Sequence, residues 1–428
     1  MTSKSQHWPE SPTQSDWLAL KEALRSQALA LGFDAVGFAP PQPAPTAHYL
    51  APWLASGAHG DMAWMANHAE RRADPRLLMD NLGVVMVLGV NYKPDGDLME
   101  ELSHGENAYI SAYARNNDYH DILKKRTKAL ARWLAERLGQ PMDGRVFVDT
   151  APVLERPLAA QSGIGWQGKN TMLASRKFGC WLFLAEYFIA LPLPPDQVEE
   201  DHCGECDRCQ RACPTGALDD PYRMDARQCL AYWSIESSGV IPQKFRRLMG
   251  NRIYGCDDCI VVCPFNRFAD MTRESDFVAR DALKDREMIS LMFARDADFR
   301  EALRKTPIKR LGFSKFIRNL AIGLGNWGRE SGERSAFDLL LALLDHESPM
   351  ARAHAAWGVG ECVAYAEEGM AALRQKLAQE PDAQAREEMR SALYLLAARN
   401  GARALMQSEP LVEVELGLDG AAPDGAAP

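Results

Sequence analysis

Two cysteine runs carry the most specific chemistry in this sequence of 428 residues. The first has the spacing C-x2-C-x2-C-x3-C-P and consists of Cys203, Cys206, Cys209, Cys213 and Pro214. That spacing is typical of bacterial ferredoxins, in which soft thiolate ligands bind 4Fe–4S clusters. The second run has the spacing C-x2-C-x3-C-P and consists of Cys256, Cys259, Cys263 and Pro264. The two runs together predict two iron–sulfur clusters and one-electron transfer.

The ligands divide between the clusters because, in two-cluster ferredoxins, the fourth cysteine of each run binds the other cluster. The predicted ligands of the first cluster are Cys203, Cys206, Cys209 and Cys263. Those of the second are Cys213, Cys229, Cys256 and Cys259. Cys229 is assigned because Ile253 stands where the second run lacks a cysteine, and Cys229 is the only cysteine between the runs. A pair of zinc sites also uses C-x2-C pairs, but the longer run and its proline favour clusters.

The composition indicates a reducing compartment, since eight of the ten cysteines are assigned as cluster ligands rather than to disulfides. The two isolated cysteines, Cys180 and Cys362, are expected to be buried as small hydrophobic residues. Residues 1–15 contain no apolar signal segment, and no uncharged apolar run approaches the ~18 residues of a membrane span. We therefore expect a cytoplasmic protein, as a monomer. The net charge of −9 argues weakly against nucleic acid as a partner.

The elements that must position this chemistry form a multidomain α+β protein. Alternating periodicities predict an α/β or α+β domain over residues 16–195, behind a disordered lead at residues 1–15. Helices are expected at 16–31, 49–68 and 119–138, and strands at 33–38, 83–90, 145–148 and 179–190. A proline-rich linker at 191–195 precedes a ferredoxin-like two-cluster module at 196–290. Residues 291–400 are expected to form HEAT-like helical repeats, because 318–325 and 352–360 are self-similar, and 401–428 a disordered tail.

Three polar groups in the first domain invite a functional interpretation. Asp118-Tyr-His-Asp121 suits a capped helix start, with Asp118 as N-cap. Asp149 follows a strand, where it could serve a site or cap the next helix. Residues 163–171 combine three glycines with Lys169 and Asn170, which suggests backbone lying close to a ligand. None of these signals is specific by itself.

Two stretches free of acidic residues, 237–256 and 302–328, suggest a polyanionic partner in spite of the net charge. Their candidate phosphate contacts are Lys244, Arg246, Arg247, Arg252, Lys309 and Arg310. Binding of a phosphate backbone and a solvated basic face are both open interpretations. From these residues alone, we expect a reductase that holds an unidentified second cofactor or a substrate in residues 16–195. The rival is an electron-transfer subunit, for which Asp149 and the glycine-rich segment would be superfluous.

Several motifs, in their order along the chain, resemble those of the epoxyqueuosine reductases. They are Tyr113-Ala-Arg115, Asp118-Tyr-His-Asp121, Asp149-Thr150, Arg156, Gly163-Ile-Gly-Trp166, Gly168-Lys-Asn170, and the cysteine runs with the segment from Arg252 to Cys259. The resemblance covers about residues 16–400 and extends in its core to the cobalamin-dependent reductive dehalogenases. A dehalogenase acting on a small molecule is a further rival, but it would have no use for the basic stretches and usually carries an export signal.

The resemblance implies an oxidoreductase that completes queuosine formation in tRNA. It would remove the epoxide oxygen of epoxyqueuosine at the anticodon wobble position as water, leaving an alkene. Two electrons would pass from an external low-potential donor through two 4Fe–4S clusters to cobalamin bound base-off. Asp149 is the implied general acid, with a pKa raised by burial beside the corrin.

The remaining site residues are also implied by the resemblance. The cobalamin contacts are Arg72, Ser111, Asp149, Lys169, Asn170, Leu173 and Ser175, of which Leu173 and Ser175 would act through backbone groups. Arg156 would lie near the modified base, and the basic stretches would bind the anticodon stem-loop together with the HEAT-like repeats.

Overall fold

The first helix begins at a capping box. This computed structural model describes residue 9 and residues 11–408, without the side chains of 402–408. Helix α1 (Gln14–Ala30) follows the N-cap Thr13, whose hydroxyl accepts from the backbone N–H of Asp16 while Asp16 accepts from the backbone N–H of Thr13. The predicted helix at 16–31 is confirmed, and it starts inside the lead predicted to be disordered. Residues 1–8 and 10 lie outside the described residues.

A four-stranded sheet forms the centre of the first domain. Its strands are β1 (Ala35–Ala39), β2 (Val84–Asn91), β4 (Gly144–Phe147) and β7 (Leu182–Ile189). They pair in the order β1-β2-β7-β4, and every pairing is antiparallel. The four strand predictions are confirmed to within a few residues. The prediction of an α/β domain is wrong in the strict sense, because no crossover here joins parallel neighbours. The domain is α+β, within the mixed architecture expected.

Helices cover both faces of this sheet, and strand alternation decides which side chains they meet. Met86, Leu88 and Val90 pack in the core that contains α1 and α6 (Tyr119–Leu138). Val85 and Val87 point the other way, into a core shared with α7 (Glu155–Gln161). The helix predicted at 119–138 is therefore confirmed, and its start lies at one end of the sheet.

The helix predicted at 49–68 is wrong, because that segment is broken into short pieces. They are α2 (Leu50–Ala55), α3 (Ala63–Ala66) and α4 (Ala69–Ala73). Gly60 has φ +58°, and a Cβ there would lie 2.5 Å from the hydroxyl of Tyr232. The indole of Trp53 donates to the carbonyl of Met224 at 2.7 Å. Tertiary packing against the cysteine module thus overrides the helical pattern.

The cysteine module is joined to the first domain by backbone pairing. β3 (Tyr109–Ile110) pairs in parallel with β8 (Arg252–Tyr254). The carboxylate of Asp257, which is buried, accepts from Tyr109, Ser111 and the backbone N–H of Ala112. The remaining short elements here are α5 (Leu98–Ser103), β5 (Trp166–Gln167), β6 (Leu173–Ala174), α8 (Arg208–Ala212), α9 (Gln243–Met249) and α10 (Asp258–Val261).

The C-terminal part is helical, as predicted. Its helices are α11 (Asp296–Ala302), α12 (Phe313–Ser331), α13 (Arg334–Leu343), α14 (Pro349–Glu361), α15 (Ala366–Leu377) and α16 (Ala383–Ser408). Their core continues into Ile110 and Ile253, so it crosses the expected domain boundaries. α16 runs past residue 401, where a tail was expected, and residues 409–428 lie outside the described residues. Within the part of the chain described, no helix is both long and apolar enough to cross a membrane.

Candidate active site

The start of α6 places an imidazole between two carboxylates. Asp118 caps the helix, as predicted, by accepting from the backbone N–H of His120. Its Oδ1 also lies 2.7 Å from Nδ1 of His120, and Nε2 of His120 lies 3.0 Å from Oδ2 of Asp149. Tyr119 donates its hydroxyl to the same Oδ2 of Asp149 at 2.9 Å. Helix capping and site formation therefore use the same residues.

Asp149 lies on the turn after β4 in a conformation that few residues adopt. Its φ is +56°, a left-handed conformation that is uncommon outside glycine. The backbone N–H of Asp149 donates to Oε1 of Glu155 on α7, which holds the turn. The Asp149 side chain is 54% exposed, whereas that of His120 is 11% exposed. The carboxylate of Asp149 is therefore the more accessible of these two groups.

The electrostatics favour a protonated His120 and an ionised Asp149. Burial opposes the charged imidazole, but the hydrogen bonds with Asp118 and Asp149 raise the pKa of His120 to about 9. Burial would likewise raise the pKa of Asp149, but the hydrogen bonds from His120 and Tyr119 and the charge of Arg156 lower it below its ordinary value. In this structure the pKa of Asp149 is thus lowered rather than raised, and the expectation that a corrin beside it raises that pKa stays a prediction. The dissociable proton at neutral pH is on His120, hydrogen bonded to Asp149.

The first predicted set of cluster ligands surrounds one cavity. Cys203, Cys206, Cys209 and Cys263 all line a space of about 200 Å³. Among the described residues, no three His, Cys, Asp or Glu side chains are close enough to share one metal ion. A 4Fe–4S cluster does not need such a group, since its thiolates bind separate irons. Four thiols around an open cavity fit a cluster of this kind.

The second set is partly assembled. Cys259 lies close to Cys213 and Cys229, and burial together with these neighbours raises the pKa of its thiol. Cys256 instead directs its thiol to Oδ2 of Asp258 at 2.7 Å. Ile253, which stands where the second run lacks a cysteine, is fully buried in β8. Cys180 and Cys362 are buried, as predicted.

Side chains of the glycine-rich segment hold the cysteine loops. The indole of Trp166 donates to Sγ of Cys203 at 3.4 Å. Lys169 donates to the carbonyls of Gly204 and Cys206 at 2.6 and 3.1 Å. Asn170 donates to the carbonyl of Cys259 at 3.0 Å. Two predicted cobalamin contacts, Lys169 and Asn170, are thus engaged with the cysteine module in this structure.

Two glycines of this segment lie against other stretches of backbone. A Cβ at Gly163 would lie 2.3 Å from the carbonyl oxygen of Gln197, and one at Gly165 would lie 2.2 Å from that of Ala174. Neighbouring backbone therefore fills the space beside Gly163 and Gly165, and the expectation that this segment lies close to a ligand stays a prediction. Glycine is required at these two positions because another stretch of backbone occupies the space of a side chain.

Of the other predicted cobalamin contacts, Arg72 fits a polar ligand best. It is buried, its Nε has no hydrogen-bond partner among the described residues, and its nearest carbonyl acceptors are 3.4 Å or more away. By contrast, the hydroxyl of Ser111 donates to Asp257 at 2.5 Å. The backbone N–H and carbonyl of Ser175 both pair with Gly179, and Leu173 is buried in β6.

Two of the predicted tRNA contacts are buried ion pairs. The side chain of Arg246 is 1% exposed and binds Glu388 at 2.5 and 2.8 Å. Arg252 binds Asp258 at 2.6 and 2.8 Å, within the loop that carries the second cysteine run. The predictions that Arg246 and Arg252 contact tRNA are therefore wrong, because burial of a charge requires a partner within the protein.

The other predicted tRNA contacts remain exposed. Lys244, Lys309 and Arg156 are exposed, and Arg247 is exposed although it is paired with Glu361 at 2.9 Å. Arg310 binds Oδ2 of Asp118 at 2.8 Å while half of its side chain stays accessible. Arg310 therefore links the second basic stretch directly to the site at the start of α6.

Comparisons with known proteins agree with this arrangement. Residues 202–266 match the family model of a 4Fe–4S double cluster binding domain, and residues 72–150 match the model described as epoxyqueuosine reductase QueG, DUF1730. An epoxyqueuosine reductase of Pseudomonas aeruginosa is 39% identical over 342 residues, which cover 79% of this chain and 94% of that protein. The enzyme of Escherichia coli is 38% identical over 347 residues, covering 80% and 89%.

Solved structures match over most of their length. A crystal structure of epoxyqueuosine reductase with an epoxyqueuosine-modified tRNA stem loop has a TM-score of 0.78 and 27% identity, and the match covers 89% of this chain and all of that chain. Reductive dehalogenases match with TM-scores of 0.36 to 0.40 at 16% to 17% identity, too weakly to support an inference.

An α+β domain with a proton-donating site, joined to a double-cluster module, defines an iron–sulfur oxidoreductase. At 39% identity over 94% of a relative, the chain belongs to the epoxyqueuosine reductase family.

The sequence interpretation missed most of the groups around Asp149. His120 and Tyr119 were read only as part of a helix start, although the alternation of acid, aromatic and imidazole in Asp118-Tyr-His-Asp121 was a usable signal. Glu155 and Glu186 were not singled out. Glu186 lies in an otherwise apolar strand, and a lone acid in such a run is the signal that could have identified it.

Proposed function

We propose that this chain reduces the epoxide of epoxyqueuosine in tRNA to the alkene of queuosine and releases the oxygen as water. The observation that carries the proposal is the half-exposed Asp149 carboxylate bound to a protonated His120. Opening an epoxide requires a proton for the departing oxygen, and His120 holds one at neutral pH within 3.0 Å of Asp149. Relatives with this name and a tRNA stem loop in one solved relative support the substrate.

The proposal includes two 4Fe–4S clusters with the ligand sets given above, and cobalamin in residues 16–195. Arg72 would hold an amide or phosphate oxygen of cobalamin, because its buried Nε needs an acceptor. When bound, the clusters and cobalamin would supply the two electrons at low potential. The protein residues handle the proton: His120 stores it, Asp149 presents it at Oδ2, and Tyr119 orients that oxygen.

tRNA would bind across the exposed basic residues. Arg310 contacts Asp118 and lies 3.2 Å from His120, so a phosphate held by Arg310 would lie beside the acid site. Arg156 is exposed and, within the described chain, makes no hydrogen bond or ion pair, which leaves it available to the modified nucleoside. Lys244, Arg247 and Lys309 would extend this tRNA-binding surface, and HEAT-like repeats formed by α12 to α16 would continue it.

The proposed domains are residues 16–195 for cobalamin and catalysis, 196–290 for the clusters and 291–400 for the repeats. We further propose a cytoplasmic monomer that accepts electrons from an external donor.

The decisive experiment is turnover of tRNA carrying epoxyqueuosine by anaerobically reconstituted protein, with the nucleoside product identified by mass spectrometry. We expect about eight irons and about one cobalt per chain, and queuosine as product. Eight irons without cobalt or turnover would support the electron-transfer subunit instead. Turnover of a halogenated aromatic compound, without turnover of tRNA, would support a dehalogenase.

A further inference from the structure

Three arginines converge on one buried carboxylate in the C-terminal part. Glu361 is the last residue of α14, and its side chain is only 1% exposed. Arg247 of α9 donates to both of its oxygens, at 2.9 and 3.0 Å. Arg399 of α16 lies 3.3 Å from the same carboxylate, and Arg329 of α12 lies 3.8 Å from it. Four helices therefore meet at this arginine cluster, which consists of Arg247, Arg329 and Arg399.

A single arginine is sufficient to neutralise the buried carboxylate. A guanidinium group that binds both oxygens of a carboxylate forms the strongest ion pair of this kind, and Arg247 already has that geometry. Arg329 and Arg399 bring two further positive charges to the same place. Their repulsion is unfavourable unless more negative charge is supplied. The arginine cluster therefore carries more positive charge than the burial of Glu361 requires.

The carboxylates in contact with the cluster leave one positive charge over. Glu330, which is exposed, binds Arg329 at 2.7 Å. Among the ion pairs of the part of the chain that the structure describes, Glu330 and Glu361 are the only carboxylates paired with these arginines. Three guanidinium groups and two carboxylates thus have a net charge of one. A phosphodiester carries one negative charge, so a single phosphate of a nucleic acid backbone matches this excess.

Hydrogen-bond donors of the cluster are also available to a ligand. Nη1 of Arg247 and Nη1 of Arg329 have no acceptor within the described chain. The side chains of all three arginines are between 29% and 48% exposed, so solvent reaches them while Glu361 is covered. Guanidinium groups bind phosphate oxygens through exposed N–H donors of this kind. The geometry of the cluster therefore suits a phosphate as well as its charge does.

The cluster lies at the end of α12 that is far from the acid site. Arg310, three residues before the first residue of α12, Phe313, is 3.2 Å from His120. Arg329 is close to the other end of α12. A helix rises 1.5 Å per residue, so Phe313 and Arg329 are about 24 Å apart along it. A phosphate at the cluster therefore belongs to a part of the tRNA well away from the nucleoside that reaches Asp149.

We propose that Arg247, Arg329 and Arg399 bind one backbone phosphate in the stem of the substrate tRNA, about 24 Å from the modified nucleoside. This inference rests on the proposed function, and it adds Arg329 and Arg399 to the tRNA-binding surface. Because phosphate contacts carry no direct sequence information, the site positions the tRNA without reading its bases. The competing explanation is structural, with the cluster serving only to join α9, α12, α14 and α16.

Arg329→Gln tests the site with little risk to the fold, because its contact with Glu361 is the longest of the three. We expect tRNA binding to weaken and the slope of log Kd against log salt concentration to fall by about one. The loss of affinity should therefore be about fourfold larger at roughly 50 mM than at roughly 200 mM salt. The matched control is Arg390→Gln, since Arg390 on α16 is also exposed and pairs with an exposed glutamate, Glu387. This control should leave the affinity and the slope unchanged.

Glu330→Gln tests the same site in the opposite direction. It removes the carboxylate that competes with phosphate for Arg329 and keeps the shape of the side chain. We expect tRNA binding to strengthen, most of all at low salt concentration, whereas the control Glu387→Gln should have no effect. Exposed ion pairs contribute little to stability, so neither variant should change the thermal unfolding temperature. A cluster with only a structural role would gain no tRNA affinity from the loss of Glu330.

The position of the phosphate is tested by ethylation interference, which identifies the tRNA phosphates whose modification blocks binding. With the unmodified protein, we expect interference at one or more stem phosphates in addition to those of the loop. The stem signal should disappear with Arg329→Gln and remain with Arg390→Gln. Interference confined to loop phosphates would overturn the inference.

Failure of the inference differs from failure of the proposed function. If the unmodified protein converts epoxyqueuosine tRNA but Arg329→Gln binds it as Arg390→Gln does, the inference is wrong while the function stands. A lower unfolding temperature of Arg329→Gln with unchanged tRNA binding would support the structural explanation and also overturn the inference. If the unmodified protein neither binds nor converts the tRNA, the proposed function fails, and the phosphate site fails with it.

Discussion

His120 should keep its proton to about pH 9, well above the ordinary value of 6.5. The cause is the pair of carboxylates at 2.7 and 3.0 Å from its two ring nitrogens. A tenfold change in an equilibrium constant corresponds to about 1.4 kcal/mol, so this rise corresponds to about 3 kcal/mol in favour of the charged form. Arg310, 3.2 Å from Nε2, opposes it, but its own pairing with Asp118 limits that effect.

The same shift makes stability depend on pH. Because the pKa of His120 is higher in the folded protein than in the unfolded chain, the stabilisation is fully present below about pH 6.5 and is lost as the pH rises through about 9. The perturbation that isolates the effect is Asp149→Asn, which removes one carboxylate and keeps the shape. We expect the pKa of His120 to fall toward 6.5 in this variant. Asp121→Asn, an exposed acid in the same helical turn, is the matched control and should leave it unchanged.

The assay is a pH titration of protein labelled with ¹³C at histidine Cε1. The resonance of His120 is assigned from its disappearance in His120→Gln. Nine histidines are present, so this assignment is needed before the titration is interpreted. A midpoint near or below pH 6.5 in the unmodified protein would refute the reasoning. So would a midpoint that Asp149→Asn leaves in place, because the neighbouring carboxylate would then not be the cause.

Three further predictions concern turnover, tRNA and the clusters. Asp149→Asn should lower single-turnover reduction of epoxyqueuosine tRNA by about 100-fold to 10,000-fold without changing tRNA affinity; normal turnover would remove Asp149 as the group that presents the proton. Lys309→Glu should weaken tRNA binding and lower the slope of log Kd against log salt concentration by about one. The control variant Lys128→Glu, on α6 and outside the basic stretches, should change neither the affinity nor the slope. Equal effects of the two variants would indicate non-specific electrostatic attraction. Cys229→Ala should lose the electron paramagnetic resonance signal of one reduced cluster and keep the other; two intact signals would show that another residue completes the second cluster.

The sequence predicted best those features that depend on short-range spacing. The cysteine runs, the buried strand β2 and helix α6 were all predictable, because ligand spacing and hydrophobic period are local properties. The broken segment at 49–73 was not predictable. Position 60 requires glycine because the hydroxyl of Tyr232, far away in the sequence, occupies the space of a side chain. The spacing of apolar residues along a segment carries no information about a side chain that is distant in the sequence and close in space.

Charge was the least predictable property of the candidate site. The stretch at 237–256 contains no acid of its own, so Arg246 and Arg252 were expected to face tRNA. In the folded chain Arg246 meets Glu388 from α16, and Arg252 meets Asp258 just beyond the end of the stretch. Absence of acid from a segment therefore predicts a basic surface only where no other element supplies the counter-charge. Lys309 and Lys244, which are exposed, fulfil that condition.

The helical C-terminal part supports the cysteine module through its first long helix. Arg318 on α12 is fully buried and donates to the carbonyls of Trp233, Ser237 and Gly239. Asn319 donates to those of Ser234 and Ile253. These carbonyls belong to the segment after Cys229 and to β8 before Cys256. If tRNA binds along these helices, as proposed, it would therefore contact the same helix that supports the predicted second cluster, and substrate recognition and electron delivery would share one scaffold.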